Sequence, residues 1–212
     1  MIRYEVIMRI GVFDSGVGGE AVANTLRQLL PTADIISIND HDHMPYGNRD
    51  PKEIIRLTKN AIKPLLDERC DAIVIACNTV TTVAISALRS VYPDVNFIGI
   101  EPMVKPAAKM TKTKHIAVCA TPRTLQSDRY KELKNNWASE IEVIEPDCSN
   151  WAELIEHGKS DEIDIDSVSK SLIERNVDVI VLGCTHYHWI KQRIIDTGTI
   201  GTFVEVFDPQ FG

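Results

Sequence analysis

The chain matches itself. The stretch DAIVIACNTV at 71–80 lines up with DVIVLGCTHY at 178–187, and RIGVFDSG at 9–16 lines up with HIAVCATP at 115–122. The two offsets, 107 and 106, differ by one residue. One pair of similar apolar strands means little. Two pairs in the same order at nearly one spacing restrict the chain to a duplicated unit. Short apolar runs, Ile10–Phe13, Ile35–Ile38, Ala72–Ala76, Phe97–Ile100, Ile116–Cys119, Ile141–Ile144, Val179–Leu182 and Phe203–Phe207, read as strands. Helical patterns separate them, over 20–30, 52–69, 80–91, 102–111, 123–135, 162–175 and 187–196, with a kink expected at Pro64. Strand–helix alternation with apolar strands implies parallel sheets covered on both faces. The fold class is therefore α/β: two similar α/β domains with mainly parallel sheets, related by a pseudo-two-fold duplication, with a ligand cleft between them. The expected division is a first domain over 1–100, to which 203–212 return, and a second over 101–202. The opening MIRYEVIM reads as a short extension ahead of a pattern that starts near Arg9.

Charge and composition remove several classes. Lys and Arg number 23 against 30 Asp and Glu, a net charge of −7, and no basic run is present to neutralise phosphates, so no nucleic-acid partner is expected. No apolar run approaches the length that spans a bilayer, and no signal peptide is evident, so no membrane association is expected. The five cysteines, at 70, 77, 119, 148 and 184, are odd in number and form no CxxC pair, against a disulfide framework or a zinc site. The expected setting is the reducing cytoplasm.

In open parallel sheets, ligands gather at the carboxyl ends of the strands. Cys184 stands at such an end, and so does its duplicate, Cys77. An approximate two-fold would bring the two thiols to one cleft from opposite sides. Such a pair suits inversion of a stereocentre, which needs a base on one face and an acid on the other. Both thiols precede predicted helices, whose N-termini stabilise a thiolate. The alternative, a small buried apolar side chain, is the reading for Cys70, Cys119 and Cys148.

Other stretches add neutral donors and carboxylates. In DSGVGG, 14–19, small residues would let backbone N–H groups approach an anion, or simply form a tight turn; no phosphate-loop spacing follows. Asp14, at a strand end, either relays a proton to a thiol or caps the next helix. In DHDHMPYG, 40–47, the acidic and histidine residues suggest a metal only weakly, because adjacent side chains rarely point at one ion; a solvated loop is favoured. The Pro45–Tyr46–Gly47 turn would shape a pocket. Asn78 and Thr79 flank the first thiol as Thr185 and His186 flank the second, with His186 a proton relay or a cap.

These residues carry a resemblance. In order and spacing, GVFDSGVGG, PYG, IACNT, GIEP and VLGCTHY resemble the cofactor-independent glutamate racemases of the aspartate/glutamate racemase superfamily, over nearly the whole chain from Ile10 to about Asp208. The resemblance implies a two-domain α/β isomerase that interconverts L- and D-glutamate, with no pyridoxal phosphate and no metal, and a role in peptidoglycan synthesis. It implies Cys77 and Cys184 as the acid/base thiols, assisted by Asp14 and His186, with Glu156 a further carboxylate near the second thiol. It further implies that Asp14, Ser15, Pro45, Tyr46, Gly47, Asn78, Thr79, Thr121, Thr185 and His186 hold the substrate, and a possible homodimer.

Three stretches depart from that pattern. NDHDHM, 39–44, replaces a Gly-Asp followed by small and basic residues. DCSNWAELIE, 147–156, lacks prolines common after its cysteine. The sequence stops at VFDPQFG, where family members continue into a helix that packs on the first domain; this bears on stability and subunit packing more than on chemistry. Two rival functions remain at this level: racemisation of aspartate or a related acid on the same fold, and a small-anion binding module without turnover.

Overall fold

A computed structural model describes residues 7–198 and 202–204. Its backbone is two four-stranded sheets of one topology. In the first half, β1 (Arg9–Asp14), β2 (Asp34–Asn39), β3 (Ala72–Ile75) and β4 (Phe97–Gly99) lie in the order β2-β1-β3-β4. In the second, β5 (His115–Cys119), β6 (Glu142–Ile144), β7 (Val179–Leu182) and β8 (Thr202–Val204) lie in the order β6-β5-β7-β8. Every pairing is parallel. The self-match in sequence is thus a repeat in three dimensions, with β1 and β3 answered by β5 and β7 at the sheet centres.

Those central strands are apolar along their length because both faces are covered. Ile73 and Ile75 of β3 pack with Phe13 on one side, while Val74 joins Ile10 and Val12 on the other. Ile180 and Leu182 of β7 pack with Ala117 and Cys119, and Val179 and Val181 with Ile116 and Val118. Each fully buried Ile, Leu or Val contributes about 1.5–3 kcal/mol. Cys119 and Cys148 are part of this core and Cys70 packs against it; all five cysteines are unbridged.

The helices are α1 (Gly18–Leu29), α2 (Pro51–Ala61), α3 (Lys63–Asp67), α4 (Asn78–Val91), α5 (Val104–Met110), α6 (Pro122–Gln126), α7 (Asp128–Trp137), α8 (Trp151–Glu156), α9 (Ile165–Glu174) and α10 (Lys191–Asp196). Four places differ from expectation. The 52–69 helix breaks between α2 and α3, with Pro64 in the first turn of the latter. The 123–135 helix breaks at Ser127, whose extended backbone and hydroxyl cap α7. α8 was not expected; it runs from Trp151 to Glu156 and is followed by Gly158 at φ +69°. The expected 187–196 helix opens as a 3-10 turn over Thr185–Ile190 before α10 begins. There Tyr187 N–H donates to Cys184 O and His188 Nδ1 donates to Thr185 O, local bonds that compete with an α-helical start.

At the far end, residues 203 and 204 do not return to the first half. β8 extends the second sheet beside β7, where Phe203 buries its ring in the second core. The rest of the expected return, 205–212, and the remainder of the strand expected over 203–207 lie outside the described residues. No described helix is long and apolar enough to cross a membrane.

Candidate active site

The carboxyl ends of β1, β3, β5 and β7 face one another across the two halves. β3 runs through Ala76 to Cys77, and α4 starts at once with Asn78. Cys77 is buried, with its sulfur 3.2 Å from the Ser15 hydroxyl. Burial pushes this thiol up to about 12, and the Asp14 charge pushes the same way; the Ser15 hydroxyl and the Val80 N–H of α4 pull less strongly downward. The expected thiolate at a helix N-terminus is therefore not the resting form of Cys77: desolvation outweighs the helix.

Asn78 donates its Nδ2 to Ile100 O at 3.2 Å. A carbonyl oxygen only accepts, so this bond orients the amide. It leaves Oδ1 buried without a hydrogen-bond partner, on a residue that lines the cavity.

The second thiol has different company. Cys184 follows β7, half-buried, with its sulfur 3.7 Å from His186 Nδ1. Because a 3-10 turn follows, the expected α-helix terminus is absent here and an imidazole takes its place. His186 Nε2 lies 2.6 Å from Glu156 Oε2, at the end of α8. Burial works to raise the Glu156 carboxyl, but bonds from His186, Val17 N–H and His41 bring it down to about 2. An ionised carboxylate only accepts, so His186 donates from Nε2 and turns Nδ1 toward the thiol. Burial works to lower the His186 pKa, yet its bonds to Cys184 and Glu156 outweigh this and raise it to about 10. At neutral pH an imidazolium N–H is thus aimed at the Cys184 sulfur.

Thr185–Asp14 and Val17–Glu156 are contacts that join these ends across the halves. Thr185 donates its hydroxyl to Asp14 Oδ2 at 3.1 Å, while Gly16 N–H donates to Asp14 Oδ1 at 2.9 Å. Asp14 is fully buried, and burial raises its carboxyl to about 6 against the pull of His186. Asp14 does not cap α1, whose first residue follows Val17 with no side-chain cap. The small residues of DSGVGG do admit a backbone N–H to an anion, but the anion belongs to this chain: Val17 N–H donates to Glu156 Oε2 at 3.1 Å. Glycines are required for that approach. A Cβ on Gly16 would stand 2.8 Å from Glu156 Oε2 and 2.9 Å from His186 Nε2, and one on Gly18 would overlap the Thr185 side chain.

One cavity collects almost all the expected site residues. Pro45, Tyr46 and Gly47 form one wall, Ser15, Cys77, Asn78 and Thr79 the next, and Thr121, Cys184, Thr185 and His186 face them. The cavity, partly open to solvent, has a volume of about 20 Å³, room for a water molecule rather than an amino acid. Asp14 and Glu156 lie behind the wall. Tyr46 spends its hydroxyl proton on Asp40 Oδ2 at 2.6 Å, so it offers the cavity its ring and backbone. Thr79 and Thr121 meet across the halves at 2.9 Å, and Thr124 joins both, at 3.2 and 3.0 Å. Met44, Asn48, Ser149, Ala152 and Glu153 also line the cavity and were not singled out from sequence. For the last two the signal was there: Asn150 ahead of Trp151 and Gly158 after Glu156 bracket a short helix.

A family model, Asp/Glu/Hydantoin racemase, matches residues 19–209. The glutamate racemase of Sulfurovum sp. is 40% identical over 194 residues, which cover 88% of this chain and 73% of that protein. The glutamate racemase of Clostridium perfringens is 39% identical over 207 residues, covering 96% and 79%. Among solved structures, Escherichia coli glutamate racemase in complex with L-glutamate and the activator UDP-MurNAc-ala superimposes with a TM-score of 0.79 at 31% identity, covering 94% of this chain and 77% of that one. The chain therefore belongs to the Asp/Glu/hydantoin racemase family, among its glutamate racemases.

Proposed function

We infer that the chain racemises glutamate by passing a proton between two thiols, without a cofactor, and so supplies D-glutamate for peptidoglycan. The observation that carries this reading is that Cys77 and Cys184 line one cavity, each beside its own hydrogen-bonding partner. In one direction Cys184, as a thiolate beside the His186 imidazolium, takes the α-proton and becomes a thiol. The electron pair left on Cα is spread into the carboxylate, and Cys77 returns a proton to the opposite face and is left as thiolate. The reverse direction exchanges the roles. Thr79 and Thr121, whose hydroxyls bond each other across the halves, support donation to the substrate's carboxylates as their charge grows, while Thr185 spends its proton on Asp14. Asn78 Oδ1, an acceptor in need of a donor, suits the α-ammonium group.

In this reading Cys77 and Cys184 are the catalytic residues, and His186 moves or holds the Cys184 proton. Asp14 and Glu156 position and charge these groups from behind the wall. Ser15, Pro45, Tyr46 and Gly47 shape the rest of the pocket. Two domains that meet near residue 100 would part to admit the substrate. Free thiols at the centre of the chemistry support a reducing, cytoplasmic setting; a homodimer is part of the same reading, testable by sedimentation.

The test is incubation with L-glutamate, and separately L-aspartate, in deuterated water, following optical activity and α-deuterium. Racemisation with deuterium incorporation on glutamate is expected. Turnover of aspartate alone would move the assignment to the neighbouring acid, and silence with both would leave a binding module.

A further inference from the structure

Glu156 is held by three donors, and two of them come from the opposite half. His186 and Val17 N–H share Oε2, while His41 Nδ1 lies 2.8 Å from Oε1. An ionised carboxylate accepts, so His41 is the donor. His41 sits in a 3-10 turn, His41–His43, within the stretch whose sequence departs from the resembled family. That turn is firmly seated. Asp40 takes Asp14 O through its backbone N–H at 3.0 Å and accepts from Tyr46 and His43 through its side chain.

We propose that His41 is a positioning residue: its bond to Glu156 Oε1 sets the carboxylate that orients His186, and sets it fully only when the two halves are closed. The proposal rests on the racemase reading above. A histidine–carboxylate pair between two exposed side chains would contribute little. This pair is one-sided: the His41 side chain is 51% exposed, but that of Glu156 is 9% exposed. Parting of the halves would remove His41 and Val17 from Glu156 and leave His186 on a carboxylate free to swing. Closure would thus finish the Cys184–His186 arrangement, tying proton transfer to a shut cleft. Besides Glu156, the charged or titratable groups around this contact are Asp40, Asp42 and His43 of the same turn, with His186, Cys184 and Asp14 beyond the carboxylate.

The test uses the full chain with His41→Ala and His41→Asn, the asparagine Nδ2 standing where Nδ1 donates. His41→Ala should lower kcat about tenfold with KM within about twofold, because His41 does not line the cavity. The imidazole titration of His186, followed by ¹⁵N NMR, should move in His41→Ala. His41→Asn should restore most of the rate and the original titration. An unchanged kcat and an unmoved His186 titration in His41→Ala would overturn the proposal, as would a loss that asparagine fails to repair. If the unaltered protein does not racemise glutamate, the function assignment fails by itself, and the His186 titration still decides the His41 contact.

Discussion

Thr185 Oγ1 donates to Asp14 Oδ2 at 3.1 Å, linking the residue after one thiol to the carboxylate whose charge bears on the other. The first half therefore does not set the protonation of Cys77 alone. Thr185→Val keeps the shape and removes the donor, leaving a buried carboxylate oxygen unpaired at a cost of about 1–3 kcal/mol. The Asp14 carboxyl, already near 6, should rise further. Chemical denaturation should show the lost stability, and the acid limb of the rate profile should move to higher pH.

Cys77→Ser and Cys184→Ser remove one proton carrier each. A hydroxyl is far less acidic than a thiol, so each variant should lose racemisation by at least about 10³-fold. Polarimetry with glutamate measures this. Near-normal turnover in either variant would end the two-thiol mechanism.

Gly16→Ala pushes a methyl into the contact between the first-half loop and the Glu156–His186 pair. Neither neighbour can retreat without losing the 2.6 Å bond. The expected cost is about 1–3 kcal/mol of stability, together with most of the activity. Thermal melts and initial rates check both.

The pH dependence of stability has a definite sign. His186 is raised from 6.5 to about 10, so the folded chain holds more protons than the unfolded one between those values. Its contribution is whole below pH 6.5 and declines as pH rises. Asp14, raised from 3.8 to about 6, has spent its own decline by then, and Cys77, raised from 9 to about 12, enters only above pH 9. Between pH 6.5 and 9 the slope should belong largely to His186. Melting temperatures should fall across that window in the unaltered protein and flatten in His186→Gln.

The strands were readable because each holds a short apolar run, buried most fully in the central β1, β3, β5 and β7, and the duplication because both copies keep that pattern. The thiols were readable from their place at strand ends. What escaped was decided by contacts remote in sequence. Glu156 meets His186, Val17 and His41 only after the halves fold together. No local pattern shows that the anion approached by DSGVGG is a side chain of this same protein. The start of the last helix was misjudged because His188 and Tyr187 bond locally to the turn, which apolar periodicity does not register.

A cavity of about 20 Å³ cannot admit glutamate as it stands. Parting the halves to admit it would break the Thr79–Thr121, Thr185–Asp14 and His41–Glu156 contacts, and closure would remake them. Those bonds favour the shut form, so an opening step would compete with the chemistry for control of the overall rate. Viscosity added to the medium should slow the enzyme wherever that hinge motion, and not the proton, sets the pace.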